Sequence, residues 1–548
     1  MKTPNSGREG SALVTVAIFS AIATFMLASV LVWAKNQGSL VRRQAEFTRA
    51  QYVAEAGAEK IFAAIRSNVW ATGAVPTQTL LNNISTNQLP TSNDSSIFVD
   101  YRFISLSGGN NQITVTTNGP SAFSLITSGP NAGLNAIITP YRIVSRAYSF
   151  NRPVHLTTGV QRDMQVQMIP VFQFAIFYNL DMEIENGAAM TIDGRVHSNN
   201  NAYFAPNSTL TFQSEVTVQQ NAYNNPMPGD THQTSWNTPV YNGDPDLVTG
   251  VSELDLPLPS GVNPHDIIEL PPSGTDPIQN DRLYNKAGLR IVVGTSGTIT
   301  ATDSSGNSVS GITVGTSSSS IVRTNQTLYS VREGKTIVLT EVNIGNLVSA
   351  GKVPANGIVY VANTRNWGTL SSSMENAVRI INGATLTSGG LTIASQNPVY
   401  IQGNYNSVND YPAAVYADAI NILSGSWNDA NSSSALSTRN ASSTTINAAV
   451  FTGIVATSGA NYSGGVENLL RLLEDWSGDT LTYKGSIVVM FTSETATGLW
   501  KETGSANNVY NAPTRNWSFD VQFLDATKLP PGTSYVRSIS RGTWASVQ

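Results

Sequence analysis

Two patterns of apolar and polar positions divide the chain. From Ser11 to Ala34 no residue is charged, and Leu13, Val14, Ile18, Phe19, Ile22, Phe25, Met26, Leu27, Val30, Leu31, Val32 and Trp33 leave no polar face. As a helix this run spans roughly 36 Å, against about 30 Å of bilayer hydrocarbon. Trp33 falls at its far end, where an indole prefers the interface. A core helix would keep a polar face, and the apolar part of a secretory signal is only about 7–15 residues. The run predicts a membrane-spanning helix. From Lys35 to Ile65 the pattern changes without a break. Leu40, Phe47, Ala50, Ala54, Gly57, Ala58, Ile61 and Ile65 recur mostly every three or four residues, there is no proline, and the only glycines are Gly38 and Gly57. One rod of about 55 residues, roughly 80 Å long, is expected. The small side chains between Tyr52 and Glu59 would let another backbone approach closely.

After Ser67 the helical period is lost. Ser95–Ser105, Gln112–Thr117, Leu134–Ala147 and Met164–Tyr178 carry β-branched and aromatic residues between Gly, Asn and Pro turns, so 67–170 is expected to be a small β-sheet module. Beyond it, 171–548 reads as a large β-rich head. Residues 216–285 are rich in Pro, Asp and Asn and look like a loop excursion. Strands resume at Leu289–Thr300 and Ser308–Val314, with Asp303–Asn307 a hairpin turn. Between 357 and 425 short strands alternate with Gly/Asn turns at uneven spacing, which points to an irregular parallel β-helix, with a β-sandwich as the competing architecture. One helix is expected over Gly465–Trp476, and a closing strand over Asn516–Asp525. The fold class is α+β, mainly β.

Composition narrows the chemistry. Among 548 residues there is no cysteine, so disulfides, thiolate zinc sites and cysteine nucleophiles are excluded. Only 12% of residues are charged and the net charge is −5, which argues against a nucleic-acid partner. The densest set of titratable groups is Asp181, Glu183, Glu185, Asp193 and His197. Asp181, Glu183 and Glu185 alternate along a strand and would share one face, as a cation site or a carboxylate pair for glycoside hydrolysis. Their simplest reading is a solvated strand face whose Met182 and Ile184 point inward. The four histidines, His155, His197, His232 and His265, show no ligand spacing, and neither a nucleophile elbow nor a phosphate loop occurs. No cofactor, no metal and no enzymatic activity are expected. Tyr203, Trp236, Trp367, Tyr405 and Trp427 would suit polyhydroxyl ligands if exposed, and would equally suit a core.

The N-terminus adds a resemblance. Met1 to Gly10 is a short polar leader with Lys2 and Arg8, ending in glycine directly before the apolar run. That order resembles the type III signal of type IV pilins, in which a prepilin peptidase cuts after the glycine; here this implies a cut between Gly10 and Ser11. Gly10-Ser-Ala-Leu-Val-Thr-Val and Ala50-Gln-Tyr-Val-Ala-Glu-Ala-Gly-Ala-Glu59 look like the N-terminal region of PilX-type pilus assembly proteins, a branch of minor pilins. The resemblance covers about residues 7–66. It implies a helix packed on a sheet, a filament or membrane role for Thr15, Phe19, Phe25, Leu31 and Trp33, and partnership with a prepilin peptidase, other pilins, the assembly machinery and the bacterial inner membrane. Major pilins carry Glu at the fifth position after the cut, where this chain has Thr15, and that departure, with the large head, implies a minor or tip subunit of a type IV pilus or pseudopilus. Lys2 and Arg8 before the run against Lys35, Arg42, Arg43 and Arg49 after it do not favour an N-terminus inside, so a head in the periplasm or at the cell surface follows from the resemblance and from the composition of the head. The alternatives are a membrane-anchored adhesin that binds surface glycans and a β-helical glycan-degrading enzyme.

Overall fold

The structure, a computed structural model, describes residues 9–547, with side chains from Ser11 onward. Most of the expected leader over 1–10 therefore lies outside the described residues. The chain begins with α1 (Glu9–Thr72), one unbroken helix of 64 residues that runs past the expected end at residue 66.

The C-terminal half of α1 packs on a small antiparallel sheet. After α2 (Gln78–Asn87), capped by Thr77, come β1 (Tyr101–Phe103), β2 (Thr114–Thr117), β3 (Ala122–Leu125), β4 (Asn135–Ser149) and β5 (Thr157–Pro170). β1, β2, β3 and β5 all pair with β4. Ala50, Val53, Ala54, Ala58, Ile61, Phe62, Ile65 and Val69 bury the helix stripe against Tyr141, Ile143, Val160, Met164 and Val166 of the long strands. Gly57 lets the sheet come close: a Cβ there would lie 2.4 Å from Phe103 Cε1 and 2.7 Å from Ser145 Oγ. The small-residue segment thus receives the chain's own sheet. Buried Glu46 accepts hydrogen bonds from the Tyr101 hydroxyl and from Arg152 Nε, fixing the point where α1 leaves the sheet.

The last strand, Tyr535–Val547, was not expected. It returns to pair along β5, from Tyr535↔Pro170 to Val547↔Gly159. The small sheet is therefore built from both ends of the chain, and the head is inserted between β5 and this strand. The expected head over 171–548 loses its final segment to the first unit because the outer edge of β5 otherwise presents unpaired N–H and C=O groups.

In the head, β6 (Ile176–Tyr178) is followed by three turns of three short strands each: β7 (Met182–Ile184), β8 (Met190–Ile192), β9 (Val196–Ser198); β10 (Ala202–Phe204), β11 (Leu210–Phe212), β12 (Val216–Val218); and β13 (Ala222–Tyr223), β14 (Val240–Tyr241), β15 (Leu247–Thr249). Partners are parallel and in register: Met182 with Ala202 and Ala202 with Ala222, Met190 with Leu210, Val196 with Val216. Each of these offsets is 20 residues. Phe204, Phe212 and Val216 stack inside, while at one corner Asn201 N donates to Asp181 and Asn221 N to Asn201. So 216–249, expected as part of a loop excursion, contains strands, and the longest strandless stretches between 216 and 288 are 224–239 and 250–288.

The chain then crosses to the far end and winds back. The eleven-stranded sheet runs β15, β12, β9, β6, Ile487–Thr492, Ala449–Ile454, Ala413–Ala417, Leu391–Ala394, Ile358–Asn363, Leu289–Val293 and Ile299–Thr302. The outward and returning runs meet at β6, which pairs with β9 on one side and with Ile487–Thr492 on the other. A seven-stranded sheet and smaller ones form the other faces around one continuous apolar core. Between named strands the head pairs in parallel except at two hairpins, 289–302 and 322–343. The expected helix over Gly465–Trp476 is absent: Val466–Asn468 is one 3-10 turn and Arg471–Leu472 a strand paired with Ile420–Leu423. Its leucines repeat at helical spacing but are buried on several sides of a stacked layer, where Arg471 meets Glu333 at 2.9 Å. Asp303–Asn307 is a turn, with the backbone N–H groups of Ser305 and Asn307 donating to the Asp303 carboxylate.

Candidate functional site

The N-terminal half of α1 stands free of the rest of the molecule. Thirteen large apolar side chains between Leu13 and Trp33 are exposed, with Phe19 at 67%, Phe25 at 80%, Leu31 at 61% and Trp33 at 64%. At about 1.5–3 kcal/mol for each side chain left in water, their exposure would cost on the order of 20–40 kcal/mol, more than a folded domain's whole stability of about 5–15. The segment therefore needs an apolar surrounding. Three of its five hydroxyls bond within the helix: Thr15 donates to the Ser11 carbonyl (2.7 Å), Thr24 to Ser20 (2.7 Å) and Ser29 to Phe25 (2.8 Å). This arrangement tolerates lipid, where an unpaired polar group is expensive. Thr15 offers no charge there. Gly10 is helical, so the Gly10–Ser11 bond lies within the first turns of α1.

The acidic set of the head is not a solvated face. Glu183 and Glu185 are buried, and segments 230–232 and 457–467 cover them. Glu183 Oε2 accepts from Ser463 Oγ (2.7 Å) and from the Thr457 hydroxyl. Glu185 Oε2 lies 2.9 Å from His232 Nδ1, and Glu467 Oε1 accepts from the Tyr462 hydroxyl (3.0 Å) and the Glu185 N–H (3.3 Å). One oxygen each of Glu183, Glu185, Glu467 and Asp230 has no partner. Burial raises all three glutamates, Glu185 and Glu467 to about 7, so they hold protons far more readily than a free carboxyl. The cluster is a buried seam between a coil and its covering segments, in which burial favours the protonated carboxyls. Asp181 is spent on the Asn201 N–H, and Asp193 is exposed. His197 belongs elsewhere: it lies 2.8 Å from Thr217 Oγ1 and 2.9 Å from Asn199 Oδ1, packs on Phe177, and burial lowers it to about 4. The five residues grouped in the sequence are thus divided among separate tasks.

Of the five aromatics considered for polyhydroxyl ligands, Tyr203, Tyr405 and Trp427 are buried, Trp367 is half-buried, and Trp236 alone is exposed.

A group that sequence reasoning missed lies at His265. Its ring is buried, with Nε2 3.1 Å from Asp418 Oδ1 and Nδ1 2.9 Å from Glu269 Oε1. Asp418, fully buried, also accepts the backbone N–H groups of Glu494 (2.6 Å) and Ala496 (2.8 Å). Burial opposes the imidazolium, but Asp418 and Glu269 outweigh it and raise His265 to about 9. Among the described residues, His265, Glu269 and Glu494 are the one His/carboxylate set close enough to share a metal ion. The i, i+4 pair of His265 and Glu269 was visible in the sequence; Asp418 and Glu494, more than 150 residues away, were not.

No family model matches the chain, and no curated protein matches it. Among solved structures it is similar to the competence-associated pilin ComZ from Thermus thermophilus, at 13% identity and a TM-score of 0.29, over 91% of this chain and 97% of that one. That likeness assigns no role to any residue here.

Proposed function

We propose that the chain is a minor, tip-type pilin-like subunit that a prepilin peptidase cuts between Gly10 and Ser11. The observation that carries this reading is the divided helix: 11–34 is apolar all round and exposed, whereas 46–72 is docked on an antiparallel sheet. The leader, the Gly10–Val16 stretch and the Ala50–Glu59 stretch, which resemble PilX-type proteins, support it from the sequence. In this reading the apolar half first sits in the inner membrane and then moves into a filament core of bundled helices, so that Phe19, Phe25, Leu31 and Trp33 exchange lipid for other pilins without entering water. Thr15 makes that exchange without the charge contact that a glutamate would give. The inserted head, whose stacked parallel 20-residue units fit an irregular parallel β-helix, is carried outward into the periplasm or to the cell surface. Its size suits an end position better than a place in every layer of a packed filament.

The role assigned is structural, with no catalysis. Glycan binding has less support, because most of the aromatics it would use are buried. The test is co-expression with a prepilin peptidase, followed by intact mass and N-terminal sequencing of wild type and Gly10→Leu. A new N-terminus at Ser11, lost in the variant, is expected; an uncut chain that stays in the membrane would leave a surface protein anchored by its helix.

A further inference from the structure

We propose that His265, Glu269 and Glu494 bind a divalent transition-metal ion, of the zinc or manganese kind, which fastens the long segment after β15 to the stacked strands. The three donor atoms, His265 Nδ1 and one carboxylate oxygen from each glutamate, all lie within 4.8 Å of one another. Nδ1 is 2.9 Å from Glu269 Oε1 and 3.8 Å from Glu494 Oε2. Donors around one ion with bonds of about 2.1 Å sit about 3–3.5 Å apart, so a small closure of the Glu494 side chain completes the set.

What distinguishes this set from a chance group of surface acids is its support. The far nitrogen of His265 rests on Asp418, itself held by the backbone of the Glu494 loop, and the ring lies edge-on to Phe491 at 4.6 Å. A carboxylate behind a histidine fixes the ring's orientation and strengthens its other nitrogen as a ligand. Asn263 Nδ2 donates to Glu494 Oε1 (3.2 Å), leaving Oε2 to face the ring. The imidazole is buried while the Glu269 and Glu494 side chains remain 35% and 49% exposed, so an ion has a path from solvent and room to keep water. One nitrogen and two carboxylate oxygens suit zinc or manganese; calcium and magnesium favour oxygen-only cages.

The donors come from distant places: 265–269 in the segment between β15 and Leu289–Val293, Asp418 just after Ala413–Ala417, and Glu494 just after Ile487–Thr492. A bound ion would tie the crossing segment to two layers of the returning run. The site does not depend on how the helix is processed.

The test uses the full chain in detergent, stripped with EDTA and titrated calorimetrically with ZnCl2, MnCl2 and CaCl2, with stoichiometry from native mass spectrometry. Glu269→Gln and Glu494→Gln change partly exposed side chains, and circular dichroism checks that both fold. Expected is one zinc or manganese ion per chain, at least tenfold weaker binding in each variant, and slower proteolysis within 250–282 only when the wild type is loaded. No stoichiometric uptake would overturn the proposal and leave an ion-pair clamp. Equal binding by wild type and both variants would overturn it by placing the ion elsewhere, and a preference for calcium would overturn the assigned class.

Discussion

The two halves of α1 are one continuous helix with opposite relations to the rest of the molecule. Residues 11–34 carry no charge and touch nothing; 46–72 carry Glu46, Glu59 and Lys60, each tied to the small-sheet unit by an ion pair with Arg152, Arg162 or Asp94. A helix with one apolar stripe has a single best direction in which to bury it, and the sheet fills that direction. A helix apolar all round has none, so only a surrounding that is apolar on every side will do. The two halves are therefore addressed to different solvents.

Charging the free half should break this contrast most severely. Ile22→Asp together with Phe25→Asp puts two carboxylates near the middle of the apolar run, at about 2.5–3.5 kcal/mol each, a penalty of about four to five powers of ten in insertion. The expected outcome is loss of the chain from carbonate-washed membranes while the circular dichroism and melting of the head are unchanged. Retention in the membrane would mean that 11–34 is not the inserted segment.

The converse experiment acts on the docked half. Gly57→Leu drives a side chain into Phe103 and Ser145, where even a Cβ is too close. Overpacking of this kind costs about 1–3 kcal/mol. The melting temperature of the full chain in detergent should fall by several degrees with membrane insertion intact. An unchanged melting temperature would show that α1 and the sheet do not pack as closely as described. Glu46→Gln should act more weakly at the same junction, by about 0.5–1.5 kcal/mol, since it weakens the pair with Arg152 but keeps an acceptor for Tyr101. Chemical denaturation of the variant beside wild type would measure it.

The same division governs what was legible in the sequence. Both halves of α1 could be read because a helix is local: its charge-free run and its three-four spacing lie in neighbouring residues. Short strands such as Ile358–Asn363, Leu391–Ala394 and Val399–Gln402 were visible for the same reason. Pairing was not. The partner of Tyr535–Val547 is β5, hundreds of residues earlier, and nothing within the last strand names it. The 20-residue unit stayed hidden because stacked positions need only similar shape: Met182 lies over Ala202, and the corner passes from Asp181 to Asn201 to Asn221. The Val466–Leu473 segment misled for a related reason. Apolar residues at helical spacing also arise where a turn and a strand are buried on several sides. Glu183 and Glu185 look solvated in the sequence because their covers, 230–232 and 457–467, come from remote parts of the chain.

That remote cover has a measurable consequence, the smallest expected here. Glu467 is 5% exposed and burial raises it to about 7, against about 4.5 for an unfolded glutamate. Between those values the folded chain holds a proton that the unfolded chain has released, so raising the pH favours unfolding. The contribution of Glu467 is whole below about pH 4.5, declines as the pH rises toward 7, and is gone above it. Other groups titrate in the same range, including Glu185, which shares the direction, so the absolute slope is not diagnostic. The difference between two proteins is. Glu467→Gln keeps the shape and an acceptor for the Tyr462 hydroxyl while removing the ionisation. Melting temperatures from pH 4.5 to 7 should fall less steeply for the variant than for wild type, with the two curves diverging least at the acid end. Parallel curves would mean that water reaches the seam and that the loop over 457–467 does not close on the stacked strands.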